Sequence, residues 1–517
     1  MPKAHTPRIA YHGLLHDGLG YWARIKPDAT AIDLDGETIS YGALARWSDG
    51  IAAHLQRQGI AAGNNVAIAA ANDLAWAAAA FGILKTGATI VPFNDRFLGD
   101  ELAYLASHSQ SKLIVADAER SARLEAAGVS TPRISMEELD AFRQGAAEDW
   151  QAERVSSDSV AMIIFTSGST ARPKGAMMTH GSYLLKFMEM RTLDPLLGPE
   201  THALMPFGMH SSPGLPWGII FTTILGGSLF ATRKYVAERV LATLERERIS
   251  FFIGVPMIYD QISRLPQFAS ADLSSLSFAR IGGASASADI LQRWLGRGVV
   301  VRQLYGMTEV GGGSIVASTE EALANPMSCG RGLAFSRFRI VRDDGSECDA
   351  DEPGHVLLQG PGMMAGYWND EEASRAALVD GWMHTGDIGI RDKDGYFTFV
   401  DRAKEMIKSG GFNVSPTEIE AVICALDGVV EAAVFAVPDS KFTEAPCACI
   451  YADRAITPDD VYAHCASRLA GFKLPRYVLA FDAPLPRLAN QKIDRRALKA
   501  VCADPSALPP RIEAAST

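Results

Sequence analysis

Short apolar runs alternate with longer amphipathic stretches through the first 300 residues of the chain. Residues 65–93, NVAIAAANDLAWAAAAFGILKTGATIVPF, predict a strand, a helix and a second strand. Residues 111–117 (SKLIVAD) predict a further buried strand, and helices and strands keep alternating between residues 237 and 303. Such alternation is typical of parallel sheets covered by helices on both faces. The expected fold class is therefore α/β.

The pattern changes after about Gly330. Residues 338–360 and 389–402 contain Asp-Gly turns between strand-like runs, which predicts hairpins. A smaller α+β region follows, with helices predicted at 416–426 and 458–469. Ser415 and Glu418 have the spacing of a capping box. Because 517 residues exceed a typical single core, two or three domains are expected, and the change in pattern places the best boundary near 401–404, which gives 1–401 and 402–517.

Composition narrows the possible functions. Lys and Arg total 49 against 60 Asp and Glu, so a net charge of −11 argues against a general nucleic-acid binder. Seven scattered cysteines without a CxxC pair favour a reducing compartment, the cytoplasm. The first fifteen residues lack the apolar core of a signal peptide. Residues 214–231 are uncharged but contain five Gly or Pro residues, which favours a buried helix and strand over a transmembrane segment.

A polar loop follows the apolar strand predicted at residues 162–165. The loop, TSGSTARPKG, is not a Walker A motif, because Pro173 stands where that motif needs its second glycine. It nevertheless supplies backbone N–H groups, hydroxyl donors and the cation Lys174, which together suit phosphate oxygens. A surface turn rich in Ser and Thr remains the alternative.

Other polar stretches also follow or join predicted strands. In YGMTE, Tyr305 offers a flat face for a base, Thr308 a hydroxyl for a phosphate and Glu309 a carboxylate for magnesium. In HTGD, Asp387 suits the hydroxyls of a ribose. Taken singly, each stretch also fits an ordinary turn, and Lys492 alone would be read as a solvated lysine.

The order of these stretches carries more information than any one of them. TSGSTARPKG, YGMTE, HTGD, DRAKEMIKSGG and LPRLANQK resemble the successive core motifs of the AMP-forming acyl-adenylating superfamily. This superfamily includes acyl-CoA synthetases, 4-coumarate–CoA ligases, firefly luciferase and peptide-synthetase adenylation domains, and the resemblance extends over residues 35–498. It implies a large N-terminal domain of mainly parallel sheets with a distorted β-barrel subdomain, and a small mobile α+β C-terminal domain.

The resemblance also implies a reaction. ATP and a carboxylate, with Mg²⁺, give an acyl-adenylate and pyrophosphate; the small domain then rotates, and the thiol of CoA displaces AMP. Motif position assigns catalysis to Lys492, Thr308, His210 and Glu309, with Glu309 as the magnesium ligand. It assigns the hinge to Arg402 and Lys404. The residues assigned to ATP or AMP are Thr166, Ser167, Gly168, Ser169, Thr170, Lys174, Gly283, Ala284, Ser285, Gln303, Tyr305, Gly306, Asp387, Arg402 and Lys408. The CoA contacts are Gly410 and Gly411.

The chain departs from the family pattern at Ala171 and Gln491, where glycine is usual, and His210 comes one position late for the family's gate residue. The pocket for the acid is expected to involve His210, Gly214, Trp217, Gly282, Gly311 and Gly312. Glycines at 311–313 are expected to leave room, which favours a medium- or long-chain or bulky apolar acid. An aryl or cinnamate-type acid, a carrier-protein thiol as acceptor and a catalytically silent relative remain alternatives, and a homodimer stays open.

Overall fold

The computed structural model describes residues 13–145, 150–151, 155–166, 172–409, 412–439, 443–488, 492–502 and 508–512. The chain forms two compact units. The larger unit contains Met1–Phe338 and Leu357–His384, and the smaller unit contains Arg339–Val356 and Thr385–Thr517. The boundary between the two compact units thus falls at residue 384. The expected domain boundary at residue 401 concerns which residues move together, and it stays a prediction.

Sixteen α-helices are formed by the described residues, and most predicted helices are among them. Their bounds are α1 Asp17–Ile25, α2 Tyr41–Arg57, α3 Leu74–Lys85, α4 Gly99–His108, α5 Ala118–Ala126, α6 Met136–Asp140, α7 His180–Leu193, α8 Thr222–Leu225, α9 Ala237–Arg246, α10 Pro256–Ser263, α11 Ala288–Leu295, α12 Thr319–Ala324, α13 Glu371–Ala377, α14 Pro416–Cys424, α15 Pro458–Ala466 and α16 Arg495–Cys502. Pro213–Phe221 is π-helical, and three short 3₁₀ segments lie at Pro266–Ala269, Thr308–Val310 and Gly471–Lys473.

The strands of the described residues number twenty-five. Their bounds are β1 Thr30–Leu34, β2 Glu37–Ser40, β3 Asn65–Ala69, β4 Thr89–Pro92, β5 Ser111–Ala116, β6 Arg133–Ser135, β7 Val160–Thr166, β8 Lys174–Thr179, β9 His202–Met205, β10 Ser228–Ala231, β11 Phe251–Gly254, β12 Phe278–Ile281, β13 Val301–Met307, β14 Gly312–Val316, β15 Arg337–Val341, β16 Gly354–Gln359, β17 Gly366–Tyr367, β18 Leu378–Val379, β19 Trp382–Arg391, β20 Phe397–Arg402, β21 Ile407–Ser409, β22 Phe412–Val414, β23 Val429–Asp439, β24 Thr443–Ala452 and β25 Tyr477–Phe481.

Two mainly parallel sheets build the larger unit. The first has the order β14-β13-β12-β11-β9-β10-β1-β2, and the second has the order β17-β8-β7-β4-β3-β5-β6. Their strands are almost continuously apolar because helices cover both faces. Asp194, at the end of α7, accepts hydrogen bonds from Arg280 of β12 and from Arg302 of β13. These buried ion pairs fix the two neighbouring strands against α7.

Antiparallel strands dominate the smaller unit. The predicted hairpin around Asp394 and Gly395 is confirmed by the antiparallel pairing of β19 with β20. A second sheet has the order β22-β21-β24-β23, with β25 beside β24. Cys447 and Cys449 of β24 are fully buried in its core, which confirms the prediction that they pack on one face of a strand.

Two sequence expectations about local structure have different outcomes. Ser415 caps α14 by accepting the Glu418 N–H, but the predicted capping box is wrong. The Glu418 carboxylate instead accepts from Lys473 Nζ at 2.6 Å, because an ammonium is a stronger partner than a backbone N–H. Residues 213–231 fold as the π-helical segment, α8 and β10, and no helix within the described ranges combines the length and apolarity that crossing a bilayer requires.

A pair of buried histidines lies at the start of α7. The Leu15 N–H donates to His180 Nδ1 at 3.1 Å, and the rings of His16 and His180 are 6.4 Å apart, edge to face. Burial lowers the pKa of His16 to about 3, with smaller contributions from the charges of His180 and Lys85. Burial also lowers the pKa of His180 to about 4.

Acid should therefore destabilise the larger unit through His180. An unfolded histidine binds a proton below a pKa of about 6.5, so the stability from neutral His180 is complete above that pH and is lost as the pH falls towards about 4. Replacing His180→Asn, which keeps an acceptor without titrating there, should reduce the loss of unfolding free energy between pH 6.5 and 4.5 by about 2 kcal/mol. Denaturant unfolding at several pH values measures this slope. The exposed His355→Asn is the control, and equal slopes in His180→Asn and wild type would contradict the assignment.

Candidate active site

The ends of the polar loop are held together by a hairpin. Thr166 ends β7 and Lys174 begins β8, and the two residues are register partners in the antiparallel pair. The Thr166 hydroxyl also lies 3.4 Å from the Lys174 carbonyl oxygen. The predicted phosphate contacts Ser167, Gly168, Ser169 and Thr170 lie outside the described residues. The hairpin therefore places a hydroxyl and an ammonium at the two ends of the loop.

Glu309 links the ends of the two large sheets at this hairpin. Its side chain is buried, and its Oε1 accepts hydrogen bonds from Thr166 Oγ1 at 3.1 Å and from the Tyr367 hydroxyl at 3.0 Å. Thr308 begins the same 3₁₀ turn. Burial of a carboxylate is costly unless hydrogen bonds satisfy it, so these two donors hold the anion in place.

The cation of the hairpin lies next to the same tyrosine. Lys174 Nζ is 5.2 Å from the centre of the Tyr367 ring, a cation–π distance. A cavity of about 490 Å³ adjoins Lys174 and is also lined by Arg172 and Trp368. Lys174 and Arg172 thus bring positive charge to this cavity, and the carboxylates of Asp370 and Glu372 also line it.

The donor set fits a magnesium ion that is shared with a nucleotide. No group of three or more His, Cys, Asp or Glu side chains able to hold a metal occurs within the described ranges. Mg²⁺ commonly takes one or two protein carboxylates and completes its octahedron with phosphate oxygens and water. Glu309 is such a carboxylate, and both hydrogen bonds described above go to Oε1 rather than Oε2.

The predicted adenine contacts gather at neighbouring strand ends. β12 and β13 are parallel, with Ile281 opposite Gln303. Gln303 Oε1 accepts the Ala286 N–H at 3.1 Å, and its Nε2 donates to the Pro326 carbonyl at 2.9 Å, so Gln303 fixes the loop after β12. The other predicted adenine contacts lie on this loop or on β13: Gly283, Ala284, Ser285 and Tyr305, followed on β13 by Gly306, predicted as a nucleotide contact.

Within the smaller unit, three predicted residues from separate motifs lie together. Asp387 of β19 and Arg402 of β20 are register partners, and Asp387 Oδ1 is 2.9 Å from Arg402 Nε. Desolvation by the surrounding protein lowers the pKa of Lys492, the positive charge of Arg402 lowers it further, and Asp387 raises it. A carboxylate and two cations from separate motifs thus interact within the smaller unit.

The remaining residues predicted near the domain boundary occupy the surface of the smaller unit. Lys404 and Lys408 are exposed, and the Lys408 N–H donates to Glu444 Oε2 at 2.7 Å. Gly410 and Gly411, the predicted CoA contacts, lie outside the described residues. The hinge and CoA assignments therefore stay predictions.

His210, the predicted gate, lies in a charged neighbourhood. Its Nδ1 is 3.6 Å from Asp95 Oδ1. Burial lowers the pKa of His210, Asp95 raises it, and Arg96 and Arg120 lower it. A Cβ on Gly208 would lie 2.3 Å from the His210 ring, so glycine at 208 lets this imidazole fold back on its own loop.

The glycines expected to leave room for an acid have protein atoms against them instead. A Cβ on Gly312, whose φ is +104°, would lie 2.6 Å from Trp217 Nε1, which donates to the Gly311 carbonyl at 3.1 Å. At Gly214 and Gly282 the nearest protein atoms are 2.1 Å and 2.5 Å from such a Cβ. This corrects the expectation of empty volume: missing side chains here admit backbone and the Trp217 indole.

Sequence reasoning missed two residues that contact the predicted ones. Asp95 follows β4, and the rule that polar residues at strand ends form ligand sites would have singled it out. Tyr367 had no comparable signal, because a tyrosine after glycine in AGYWND looks like an ordinary buried aromatic residue.

Comparison with known proteins gives a consistent result. Residues 19–368 match the AMP-binding enzyme family, and residues 418–492 match the AMP-binding enzyme C-terminal domain. Feruloyl-CoA synthase from Amycolatopsis sp is 34% identical over 486 residues, 92% of this chain and 98% of that protein. Long-chain-fatty-acid–CoA ligase FadD13 from Mycobacterium tuberculosis is 33% identical over 456 residues, 85% of this chain and 88% of that protein.

A solved structure agrees with these sequence relatives. O-succinylbenzoate coenzyme A synthetase (MenE) from Bacillus subtilis, in complex with ATP and a magnesium ion, has a TM-score of 0.84 and 26% identity, and covers 93% of this chain and 99% of its own. The predicted superfamily, the α/β fold class with its distorted barrel-like sheet, the acid–CoA ligase class and the use of ATP, Mg²⁺ and CoA are confirmed at this level. The chain belongs to the AMP-binding enzyme family.

Proposed function

We propose that this protein joins a largely apolar carboxylic acid to CoA through an acyl-adenylate, at the expense of ATP. The observation that carries the proposal is the buried Glu309 carboxylate, which accepts from Thr166 and Tyr367 while Lys174 lies over the Tyr367 ring. Asp387, Arg402 and Lys492, together in the smaller unit, supply complementary groups for a ribose and a phosphate.

In the first step, an oxygen of the acid attacks the α-phosphorus of ATP and the bond to pyrophosphate breaks. Lys174 binds phosphate oxygens, and Glu309, held by the Thr166 hydroxyl, would hold Mg²⁺, which would neutralise part of the triphosphate charge. Lys492 donates to the phosphoryl oxygens on which negative charge builds up. Such an aimed donor lowers the barrier electrostatically, because it binds the transition state more strongly than the substrates.

In the second step, the CoA thiolate attacks the acyl carbonyl and AMP leaves with the bonding electrons. We propose that residues 402–517 rotate between the steps, with Arg402 and Lys404 as the hinge. Gly410 and Gly411 then take the place that Lys492 occupied, because glycines let the pantetheine chain approach the backbone closely.

The side chains around Trp217 indicate which class of acid the protein would bind. Phe187 lies 5.2 Å from Trp217 and 5.0 Å from Phe221, and Tyr183 stacks on Phe187 at 5.5 Å between ring centres. An aryl acid is therefore the second candidate, beside a medium- or long-chain aliphatic acid. Its ring would pair with this aromatic cluster in offset or edge-to-face geometry. Relatives named for feruloyl, long-chain fatty and succinylbenzoate substrates are compatible with both.

Pyrophosphate release tests the reaction and the acid together. The purified protein with Mg·ATP should release pyrophosphate only when a suitable acid from a panel of aliphatic and aryl carboxylates is present. Addition of CoA should then release AMP and give the acyl-CoA, measured by chromatography. Acid-dependent pyrophosphate release without CoA-dependent AMP release would favour a carrier-protein acceptor, and the absence of acid-dependent pyrophosphate release would exclude the ligase.

The two half-reactions separate the role of Lys492. Lys492→Ala should slow acid-dependent pyrophosphate release by about 10²–10³-fold, because it removes one donor aimed at the phosphoryl group. The same variant should convert preformed acyl-AMP and CoA to acyl-CoA at nearly the wild-type rate. Lys393→Ala, an exposed lysine in the β19–β20 turn, is the control. An equal loss in both half-reactions would remove the assignment.

The contact between Gly312 and Trp217 tests the position of the acid. Gly312→Ala places a methyl group 2.6 Å from Trp217 Nε1 on a backbone with φ +104°, so the indole must move. We expect KM for the acid to rise about tenfold, equivalent to about 1.4 kcal/mol of binding, with KM for ATP little changed. Gly20→Ala in α1, where no atom lies within 4 Å of the new methyl, is the control. An unchanged KM for the acid would place the acid elsewhere.

A further inference from the structure

Tyr367 contacts two groups of the nucleotide site through different parts of its side chain. Its hydroxyl donates to Glu309 Oε1 at 3.0 Å, and its ring lies 5.2 Å below the Lys174 ammonium. None of the five motifs that indicate the family includes this residue. A single tyrosine therefore joins the carboxylate assigned to magnesium to the lysine assigned to phosphate.

The backbone around Tyr367 is well anchored. Tyr367 pairs with Ala176 where β17 meets β8, two residues beyond Lys174 along that strand. Its N–H donates to Ser374 Oγ at 2.8 Å, and its side chain is almost fully buried. Because the backbone is fixed at the edge of the sheet, the hydroxyl position is set before a ligand arrives.

The hydrogen bonds to Glu309 also select one of its oxygens. Thr166 and Tyr367 both donate to Oε1, from opposite sides in the sequence, 143 and 58 residues away. Two donors on one oxygen prevent the carboxylate from rotating freely and direct Oε2 elsewhere. Groups that orient a metal-binding carboxylate typically change metal affinity by about 10–100-fold when they are removed.

We propose that Tyr367 is a positioning residue that orients Glu309 towards the magnesium of Mg·ATP and, through its ring, keeps Lys174 in place for the phosphates that share that metal. The inference rests on the proposed function of the site but concerns the binding of Mg·ATP alone. The hydroxyl acts through Glu309 and the ring acts through Lys174, so the two contributions are separable by substitution.

The test compares binding of α,β-methylene-ATP with and without Mg²⁺ by calorimetry. In wild type, Mg²⁺ should increase the affinity for this analogue, and Tyr367→Phe should reduce that gain by about 10–100-fold while the affinity measured in EDTA stays the same. Tyr367→Leu should reduce the gain and also weaken binding in EDTA, because Lys174 loses the aromatic face. Neither measurement requires an acid or CoA, so failure here is distinct from failure of the ligase assay.

A double-variant comparison identifies the route of the effect. In a Glu309→Gln background, Tyr367→Phe should cause no further loss of the magnesium gain, since both changes remove the same interaction. Tyr41→Phe is the matched control, because it also removes a buried hydroxyl bond, to the Gly227 carbonyl, and should leave both affinities unchanged. An unchanged magnesium gain in Tyr367→Phe, or equal losses with and without Glu309, would overturn the proposal.

Discussion

A buried carboxylate organises the larger unit. Glu309 stands at the end of one sheet, and its hydrogen-bond donors stand on β7 and β17 of the other. Because an ionised group out of contact with water must be satisfied by its neighbours, both sheets have to end at the same place. The stretches of chain that meet there are separated by 143 and 58 residues, so the site depends on the complete fold of this unit rather than on any local segment.

In the smaller unit, charged side chains are brought together mainly by short-range pairing. Asp387 and Arg402 face each other across a single hairpin, and their opposite charges lie 2.9 Å apart before any ligand is bound. Lys492 comes from much later in the chain, and both charges affect its pKa. The cation count exceeds the anion count in this group, which favours an anionic ligand even though the whole chain carries a net charge of −11.

Sequence patterning predicts the parts of this architecture that depend on short-range rules. The period of apolar residues gives β3, α3 and β4, and Ser415 marks the start of α14, because these features arise from neighbours along the chain. Motif order gives the candidate site, since it reflects shared ancestry. What the pattern does not give are partners distant in sequence: Lys473 for Glu418, 55 residues away, the indole of Trp217 against Gly312, and the hydroxyl of Tyr367 on Glu309. These depend on backbone positions that composition does not encode.

The β7–β8 hairpin has a consequence for variation among relatives. Thr166 and Lys174 are register partners that face each other across the β7–β8 pair, so the stems, rather than the residues between them, determine where the hydroxyl and the ammonium stand. Ala171, where the family usually has glycine, falls in the sequence between these two anchored stems, outside the described residues. The residues between the two stems could be exchanged between members of the family, with the stems kept unchanged, to alter the rate of nucleotide entry independently of the chemistry.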